Sequence, residues 1–572
     1  MKRNSAFILV VLTISALNVC AQPIQLANER IIEYLTPTRV LWKNGSIKNE
    51  VRLLKKRTGQ ADLDNTDRCI IENRKDEKGS ILLDFGKEIQ GGVQIVTGIW
   101  TGNKPIKIRL RFGESASEAM SAIDGKGGAT NDHAIRDFET LLPWLGIAEL
   151  GNTGFRFVRI DVIDQDVKLV LKEVNAIAKY RKLTYKGSFN SSDTLLNKIW
   201  KTGAYTVQLN MQDYLWDGIK RDRLVWVGDL NPEITTINAV FGYNEVVPKS
   251  LDFARNTTPL PQWMNGISAY SMWWIINHRD WYYQNGNFNY LKEQQPYLGE
   301  LLKLMIKKID ANGKENLDGQ RFLDWPSSED PEAIHAGLQA MMVLALRAGG
   351  DLMHKLGDEI SASNCAKAVN LLEKYSSAHP KSKQAAALLS MAKLISAKEG
   401  DQIISEGGAA KFSTFFGYYM LQAKANATNY TGAMEVIREY WGAMLDLGAT
   451  TFWEDFNLDW VKNAARIDEL VPDGKIDIHG TYGAYCYIGY RHSLCHGWAA
   501  GPTPWLTEHV LGISVIEPGC KVVQVKPHLG NLNFAEGTFP TPMGLIKVRH
   551  EKRADGTIKS IINAPKGVKI IR

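Results

Sequence analysis

The segment Trp216-Asp217-Gly218-Ile219-Lys220-Arg221-Asp222-Arg223-Leu224-Val225-Trp226-Val227-Gly228-Asp229 decides how the rest of this sequence is interpreted. It interleaves three carboxylates with tryptophan and arginine, and its glycines and lack of a helical apolar period predict a loop. Such carboxylates can accept hydrogen bonds from several sugar hydroxyls, and a Trp face beside a carboxyl group can exclude water and raise its pKa. The alternative interpretation is a salt-bridged loop that only pins two helices together.

Two later segments also place a polar, ionisable residue close to tryptophan. In Ala449-Thr450-Thr451-Phe452-Trp453-Glu454-Asp455-Phe456 an acid directly follows Trp453, and in Ser493-Leu494-Cys495-His496-Gly497-Trp498 a histidine precedes Trp498. Taken alone, Glu454 could be a solvated acid and His496 a packing residue. Taken together, the segments supply two carboxylates from distant parts of the chain, which is the minimum requirement for glycoside hydrolysis.

Several other classes of protein lack support in the sequence. There is no GxSxG, HExxH, Walker A or GxGxxG motif. The net charge of +6 is concentrated in residues 521–572, which contain ten Lys and Arg against three Asp and Glu, so the rest of the chain is close to neutral. This argues against a nucleic-acid partner, which usually requires a basic stripe across the main domain. The cysteines are widely spaced without CxxC, so we expect no zinc site, no disulfide framework and no cofactor, while a structural calcium ion stays open.

The composition is that of a globular protein, with 44% hydrophobic and 23% charged residues among 572. At the N-terminus, Lys2 and Arg3 precede an apolar run that ends at Val19-Cys20-Ala21. This pattern predicts a signal peptide over residues 1–21, cleaved after Ala21, and an exported protein that is periplasmic or secreted. A lipoprotein modified at Cys20 is the less favoured alternative. No later stretch reaches the roughly 18 apolar residues of a membrane span.

The hydrophobic period changes twice along the chain and predicts three further domains. Residues 22–187 alternate in short runs typical of a β-sandwich, residues 188–512 have a helical period typical of a closed array of ten or more helices, and residues 513–572 return to a small β-sandwich. Within the first domain, strands over 81–86 and 93–96 are predicted to flank a turn.

Local signals set the details of two of these elements. The predicted turn in the first domain is Gln90-Gly91-Gly92. In the helical domain, Ser191 or Ser192 is predicted to cap the first helix.

The chain resembles the bacterial α-L-rhamnosidases of glycoside hydrolase family 78, in the six-hairpin glycosidase superfamily. The resemblance extends over nearly the whole mature chain. The family signature of an Asp, an Arg-acid-Arg cluster and Trp-x-Gly-Asp is matched by Asp217, Arg221-Asp222-Arg223 and Trp226-Val227-Gly228-Asp229. Its downstream motifs are matched by Thr450-Thr451-Phe452-Trp453-Glu454 and Ser493-Leu494-Cys495-His496. The resemblance implies a multidomain α and β protein whose (α/α)6-barrel catalytic domain lies between an N-terminal β-sandwich and a small C-terminal one.

The resemblance also implies an activity and a set of site residues. The activity is exo-acting, inverting hydrolysis that releases terminal α-L-rhamnose from plant or bacterial oligosaccharides or polysaccharides. Asp222 is then the general acid and Glu454 the general base that activates water. The implied substrate-binding residues are Asp217, Arg221, Trp226, Asp229, Trp453 and His496. His496 is expected on the wall opposite Asp217 and Asp229.

Two departures from the family pattern leave alternatives open. The family's acid is normally Glu, so Asp222 is one methylene shorter, and Gly218-Ile219-Lys220 replaces the Cys-Pro-Gln that often follows the first Asp. The alternatives are a glycan-binding protein that has lost the acid, or a barrel glycosidase for another sugar, such as an unsaturated uronyl hydrolase. The sequence does not determine the oligomeric state.

Overall fold

The computed structural model describes residues 24–25, 30–375 and 381–572. The predicted signal peptide, with Cys20, lies outside the described residues. Among these residues, no helix combines the length and the apolar character needed to cross a bilayer.

The N-terminal region is an antiparallel network of ten strands in the order β1-β2-β10-β6-β9-β7-β8, with β3 paired to β6, β5 to β10 and β4 to β5. The strands are β1 (Ile24–Gln25), β2 (Arg30–Leu35), β3 (Arg39–Asn44), β4 (Ile47–Lys48), β5 (Cys69–Asn73), β6 (Ser80–Thr97), β7 (Ile106–Gly113), β8 (Asp137–Leu142), β9 (Ile147–Val162) and β10 (Val167–Arg181). Apolar side chains of β5, β6, β7, β9 and β10 form one buried cluster. The sheet therefore curves around a common core. A short helix, α1 (Ala116–Met120), follows β7.

The predicted turn at Gln90-Gly91-Gly92 is wrong, because β6 runs through these residues without ending. The glycines instead allow a close approach of neighbouring strands. Gly91 has a φ of +146°, and a Cβ atom there would lie 1.8 Å from the carbonyl oxygen of Ile177 in β10. At Gly92 it would lie 2.4 Å from the carbonyl oxygen of Leu150 in β9. Glycine in a strand can mark such an approach as readily as a turn.

The middle of the chain is helical. Its helices are α2 (Thr194–Asn210), α3 (Leu230–Val240), α4 (Val246–Asn256), α5 (Ser268–Asn285), α6 (Phe288–Lys307), α7 (Pro331–Lys355), α8 (Glu359–Leu372), α9 (Lys383–Met391), α10 (Ala397–Ser405), α11 (Gly417–Asn426), α12 (Tyr430–Val436), α13 (Gly442–Asp446), α14 (Ile478–Thr481) and α15 (Pro502–Trp505). In the order α3, α5, α7, α9, α11 and α15 each helix contacts the next, and α15 contacts α3. Helices such as α6, α8 and α10 pack against this closed ring. This arrangement is the (α/α)6 barrel that the resemblance implies.

The first barrel helix is capped by a different residue from the one predicted. Ser191 ends the strand β11 (Ser188–Ser191), and neither it nor Ser192 caps α2. The cap is Asp193, whose carboxylate accepts hydrogen bonds from the backbone N–H groups of Leu195 and Leu196. The segment after α2, from residue 212 to residue 229, is the predicted loop.

The C-terminal residues form two small sheets. One has the order β11-β14-β15-β16, with β14 (Phe534–Thr541), β15 (Gly544–Lys552) and β16 (Ile558–Asn563). The other joins β12 (Ile513–Val515), β13 (Val522–Val525) and β17 (Lys569–Ile571). Because β11 pairs with β14, the residues just after 187 share a sheet with the C-terminal part of the chain. The predicted domain limits at 187/188 and 512/513 stay predictions.

We expect the substitution Gly91→Ala to destabilise the N-terminal region. The added methyl group would overlap a backbone carbonyl of β10, and forcing such a group into a packed interior costs about 1–3 kcal/mol or more. In a domain of this size each kcal/mol lowers the melting temperature by roughly 2–4 °C. Thermal denaturation followed by circular dichroism measures the change.

The matched control is Gly102→Ala. Gly102 also has a positive φ, of +94°, but a Cβ atom there would meet nothing within 4 Å. Equal melting temperatures for the two variants would show that backbone conformation, and not the strand contact, requires glycine at residue 91.

Candidate functional site

A cavity of about 250 Å³ lies at the loop between α2 and α3. Its wall combines side chains from the three segments that the sequence singles out with aromatic residues from other loops. The lining residues are Asp217, Asp222, Trp226, Asp229, Ile267, Tyr270, Gln320, Phe322, Trp325, Glu454, Tyr487, His496 and Trp498. Six of the eight predicted site residues are therefore in this wall.

Backbone hydrogen bonds join the three segments. The N–H of Gly497 donates to the carbonyl oxygen of Asp217 over 2.8 Å, and the N–H of His496 donates to that of Phe452 over 2.9 Å. The N–H of Glu454 donates to the carbonyl oxygen of Ser493 over 3.0 Å. The three segments thus form one hydrogen-bonded unit, which fixes their side chains relative to one another.

Asp222 lies on a sharply bent part of the loop. It has a φ of +52°, and Arg223 has a φ of +55°. Both residues therefore have the left-handed backbone conformation, which costs energy for any residue with a side chain. The indole N–H of Trp226 donates to Asp222 Oδ2 over 3.0 Å, and His133 Nε2 lies 3.4 Å from Oδ1. The Asp222 side chain keeps 18% of its surface exposed. The bend sets the point from which this short side chain reaches the cavity.

Glu454 is the buried counterpart of Asp222. Its Oε1 lies 3.0 Å from Arg221 Nη2 and 3.6 Å from His496 Nδ1, and its Oε2 accepts a hydrogen bond from the N–H of Ser493 over 3.1 Å. Burial alone raises the pKa of Glu454, but the positive charge of Arg221, the neighbouring histidines and the Ser493 N–H outweigh it, so the pKa lies below its ordinary value. The group is therefore an ionised carboxylate near neutral pH.

Arg221 and Trp453 do not line the cavity. The guanidinium of Arg221 stacks on the ring of Tyr487 at 4.5 Å, and its Nη1 lies 3.7 Å from Asp222 Oδ1. Arg221 thus contacts both Asp222 and Glu454, one with each terminal nitrogen. Trp453 is 1% exposed and packs edge-on against Phe456. It supports the chain at Glu454 from behind.

His496 is paired with Asp229 and does not face it across the cavity, contrary to expectation. Its Nε2 lies 2.9 Å from Asp229 Oδ1. Burial lowers the pKa of His496, but the charge of Glu454 and the bond to Asp229 more than offset this and raise it to about 9. Burial raises the pKa of Asp229 and, well above the usual range, that of Asp217. The packing role and the functional role considered for His496 are both compatible with this position.

Lys220 connects the loop to the N-terminal region. Its ammonium group lies 3.1 Å from Glu114 Oε2 and 3.3 Å from Glu118 Oε1. It also donates hydrogen bonds to the carbonyl oxygens of Tyr490 over 2.8 Å and His492 over 2.6 Å. No local sequence pattern predicts this contact, because both glutamates belong to a different region of the chain.

Glu114, Glu118 and His479 stand close enough together to hold a metal ion. The ammonium group of Lys220 already brings a positive charge to the two glutamates. Burial raises the pKa of Glu114, and Lys220 opposes this rise. The cluster therefore works as a buried ion-pair network between regions.

Several aromatic residues of the wall were missed by the sequence analysis. Trp325 follows Asp324 in a loop, the same pattern of an acid beside a tryptophan that identified the other segments, so a signal was present. Its indole N–H donates to the hydroxyl group of Tyr487 over 2.8 Å. Tyr487 and Tyr270 had no comparable signal.

The comparison with known families supports the resemblance. Residues 184–343 match the family model described as bacterial alpha-L-rhamnosidase 6 hairpin glycosidase domain, and residues 512–571 match the bacterial alpha-L-rhamnosidase C-terminal domain. An alpha-L-rhamnosidase of Alteromonas sp. (strain LOR) is 24% identical over 537 residues, which cover 84% of this chain and 54% of that protein.

Solved structures show the same fold. A family 78 rhamnosidase of Bacillus sp. GL1 has a TM-score of 0.74 at 22% identity and covers 91% of this chain and 55% of its own. A rhamnosidase of Klebsiella oxytoca, solved with rhamnose bound, has a TM-score of 0.66 at 18% identity, and the match covers 84% of this chain and 95% of that one. The chain spans about half the length of the Alteromonas and Bacillus proteins.

We expect Lys220→Met to destabilise the protein strongly. Removal of one partner from a buried ion-pair network leaves uncompensated charge and costs about 3–5 kcal/mol. Thermal denaturation measures the loss, and Lys87→Met, at an exposed lysine, is the control.

A second substitution tests the cause of that loss. Addition of Glu114→Gln to Lys220→Met removes one buried negative charge and should restore part of the melting temperature, whereas Glu118 also pairs with the buried Arg136. A double variant no more stable than Lys220→Met alone would contradict the role of Lys220 as the cation that compensates Glu114.

The protonated state of His496 predicts a pH dependence of stability. Its pKa is about 9 in the folded protein against an ordinary 6.5. The protonated side chain therefore contributes fully to the free energy of unfolding below pH 6.5, and this contribution is lost as the pH rises through 9. The variant His496→Gln keeps a donor but binds no proton. We expect the fall in melting temperature from below pH 6.5 to above pH 9 to be smaller in this variant than in the wild type; an equal fall in both would contradict the assignment.

Proposed function

We propose that this protein is an exo-acting, inverting glycoside hydrolase that releases terminal α-L-rhamnose from plant or bacterial glycans. The observation that carries the proposal is the meeting of Asp222 and Glu454 in one cavity with Asp217 and Asp229. The cavity, at about 250 Å³, lies below the roughly 300–1,000 Å³ of pockets for larger ligands. A space of that size suits one terminal sugar ring better than a continuous chain.

Asp222 is the proposed general acid. It is the more exposed of the two carboxyl groups, with Oδ2 held by the Trp226 indole N–H and Oδ1 beside His133 and Arg221. In the reaction its proton passes to the glycosidic oxygen while the bond from that oxygen to the anomeric carbon breaks. The fixed bend of the loop orients the carboxyl group for this transfer.

Glu454 is the proposed general base. A base must be ionised, and the lowered pKa of this carboxylate meets that requirement. It takes a proton from water, and the water oxygen bonds to the anomeric carbon on the face opposite the leaving group. Arg221 and the N–H of Ser493 hold the carboxylate in one orientation.

Inversion is proposed because the resemblance to family 78 implies it. Arg221 reaches Asp222 with one terminal nitrogen, at 3.7 Å, and Glu454 with the other, at 3.0 Å. Arg221 thus fixes the two carboxyl groups relative to each other. Inversion requires a spacing of roughly 6.5–9.5 Å, in which a water molecule fits, and retention one of about 5–5.5 Å.

Asp217, Asp229, His496 and Trp226 are proposed to bind the sugar. Asp229 and His496 form a charged pair at the cavity wall, and such groups can accept from and donate to adjacent hydroxyls. The aromatic side chains of Trp226, Trp325 and Trp498 supply apolar faces for the ring. The names of the related proteins support rhamnose as the sugar.

We also infer export. The basic and apolar pattern of residues 2–21 supports a signal peptide cleaved after Ala21, and hence a periplasmic or secreted protein. Glycans with terminal rhamnose are then the expected partners.

Two variants test the assigned roles. Loss of general acid or base assistance typically costs about 10²–10⁴-fold in rate. We expect Asp222→Asn to lose activity of this order on a glycoside with a poor leaving group and to recover in part on an activated aryl rhamnoside, since such a group leaves without a proton. Glu454→Gln should lose activity on both substrates, because water attack stays unassisted. The measurement is kcat/KM from released rhamnose.

The matched control is Asp166→Asn. Asp166 is exposed and, like Asp222, has a left-handed φ, of +56°, so the same substitution is made in a similar backbone. Proton NMR of the fresh product distinguishes the anomers. Initial release of the retained anomer would contradict the role of Glu454, and binding of rhamnosides without release would favour the glycan-binding alternative.

A further inference from the structure

A second, wider cleft lies next to the proposed acid. It has a volume of about 560 Å³ and is lined by residues of the segment 131–138, by Gly151 and Asn152, and by Arg223. All of these except Arg223 belong to the N-terminal region. The inner cavity is built almost wholly from the barrel, so the two spaces have different origins.

The cleft and the inner cavity meet at Asp222. His133 lines the cleft, and its Nε2 lies 3.4 Å from Asp222 Oδ1. Arg223 donates to the carbonyl oxygen of Asn152 over 3.0 Å and to that of His133 over 3.2 Å. The N-terminal region is therefore bonded to the loop that carries the acid, on the exposed side of this carboxyl group.

The proposed reaction requires space for a leaving group next to the general acid. A general acid must stand beside the bond between the cleaved sugar and its leaving group, so the leaving group extends from the acid on the side away from the sugar pocket. The inner cavity holds the sugar on one side of Asp222. The cleft borders Asp222 through His133 and through the next residue, Arg223.

We propose that this cleft is the subsite for the leaving group and that it takes a uronic acid residue; the proposal rests on the proposed function. The sugar released from the inner cavity would thus be attached to an acidic sugar. The N-terminal region then completes the substrate site and does not only support the barrel.

The charges of the cleft favour an acidic occupant. Its lining contains the guanidinium of Arg223 and no carboxylate among its residues. The neighbouring carboxylate of Asp132 is paired with Arg491 over 3.0 Å. Arg223 has five N–H donors and donates to two neutral carbonyls, so donors remain for a carboxylate. This guanidinium also lies over the ring of Trp216, with its central carbon 5.4 Å from the ring centre.

The apolar part of the cleft suits a sugar ring. Ile135 lines it with 54% of its surface exposed, although it is a large apolar residue, and Phe138 lies beside it. Apolar walls with a few placed polar groups are the usual composition of ligand pockets. Ile135 can pack on the C–H face of a ring whose carboxylate reaches Arg223.

Three substrates and one cleft variant test the proposal. α-L-Rhamnosyl fluoride places only a fluorine atom beyond the acid and needs no proton to leave. Rhamnosyl-glucuronic acid fills the cleft with a uronic acid, and rhamnosyl-glucose fills it with a neutral ring. The variant Ile135→Trp narrows the cleft, and Leu63→Trp, at a 77% exposed residue of the same region, is the matched control.

We expect the wild type to have a higher kcat/KM for rhamnosyl-glucuronic acid than for rhamnosyl-glucose, by about tenfold, with the difference falling as salt is added, since salt screens exposed charges. In Ile135→Trp, the ratio of kcat/KM on rhamnosyl-glucuronic acid to that on rhamnosyl fluoride should fall about tenfold. Leu63→Trp should leave the ratio unchanged.

The contrary results are distinct. An unchanged ratio in Ile135→Trp would overturn the subsite, and an equal or higher kcat/KM for rhamnosyl-glucose would overturn its preference for a uronic acid. Absence of hydrolysis of rhamnosyl fluoride by the wild type would instead overturn the proposed function.

Discussion

The buried ammonium group of Lys220 is the interaction on which the arrangement of the site depends. A charge removed from water is costly unless its partners are close and complete, and Lys220 has two glutamates and two backbone carbonyls around it. The glutamates come from the N-terminal region and the carbonyls from residues 490 and 492, near His496. One side chain thus holds three parts of the chain together, and the next residue, Arg221, contacts both proposed catalytic carboxylates.

The same loop explains why similar carboxyl groups acquire different properties. Burial raises the pKa of Asp217, which accepts a hydrogen bond from the N–H of Leu224 but touches no fixed cation. Glu454 is equally buried, yet Arg221 and His496 lower its pKa. Burial therefore prevails at Asp217 and, despite the bond to His496, at Asp229, whereas the positive charges next to Glu454 outweigh it. The lowered pKa of Glu454 suits the proposed general base, and the raised pKa of Asp217 suits a group that binds sugar hydroxyls.

Glycine and serine show where local sequence signals mislead. The pair Gly91-Gly92 has the local pattern of a turn, but Gly91 lies inside β6, where a Cβ atom would clash with Ile177. Ser191 and Ser192 are good capping residues, yet the role belongs to Asp193, because Ser191 is held in a sheet with a strand near the C-terminus. In both cases the competing partner is distant in sequence. A local pattern cannot include it.

By itself, the sequence determined the order of the sheet and helical regions and the six residues that meet in the cavity. The hydrophobic periods of two residues in strands and 3.6 residues in helices follow from local backbone geometry, so they can be recognised along the sequence. Tertiary structure alone decided that Arg221 and Trp453 stand behind the wall, that Trp325 and Tyr487 enter it, and that His133 of the N-terminal region reaches Asp222. These residues lie in loops, or in contacts between regions, where no period constrains the side chains and the packing of distant elements sets their direction.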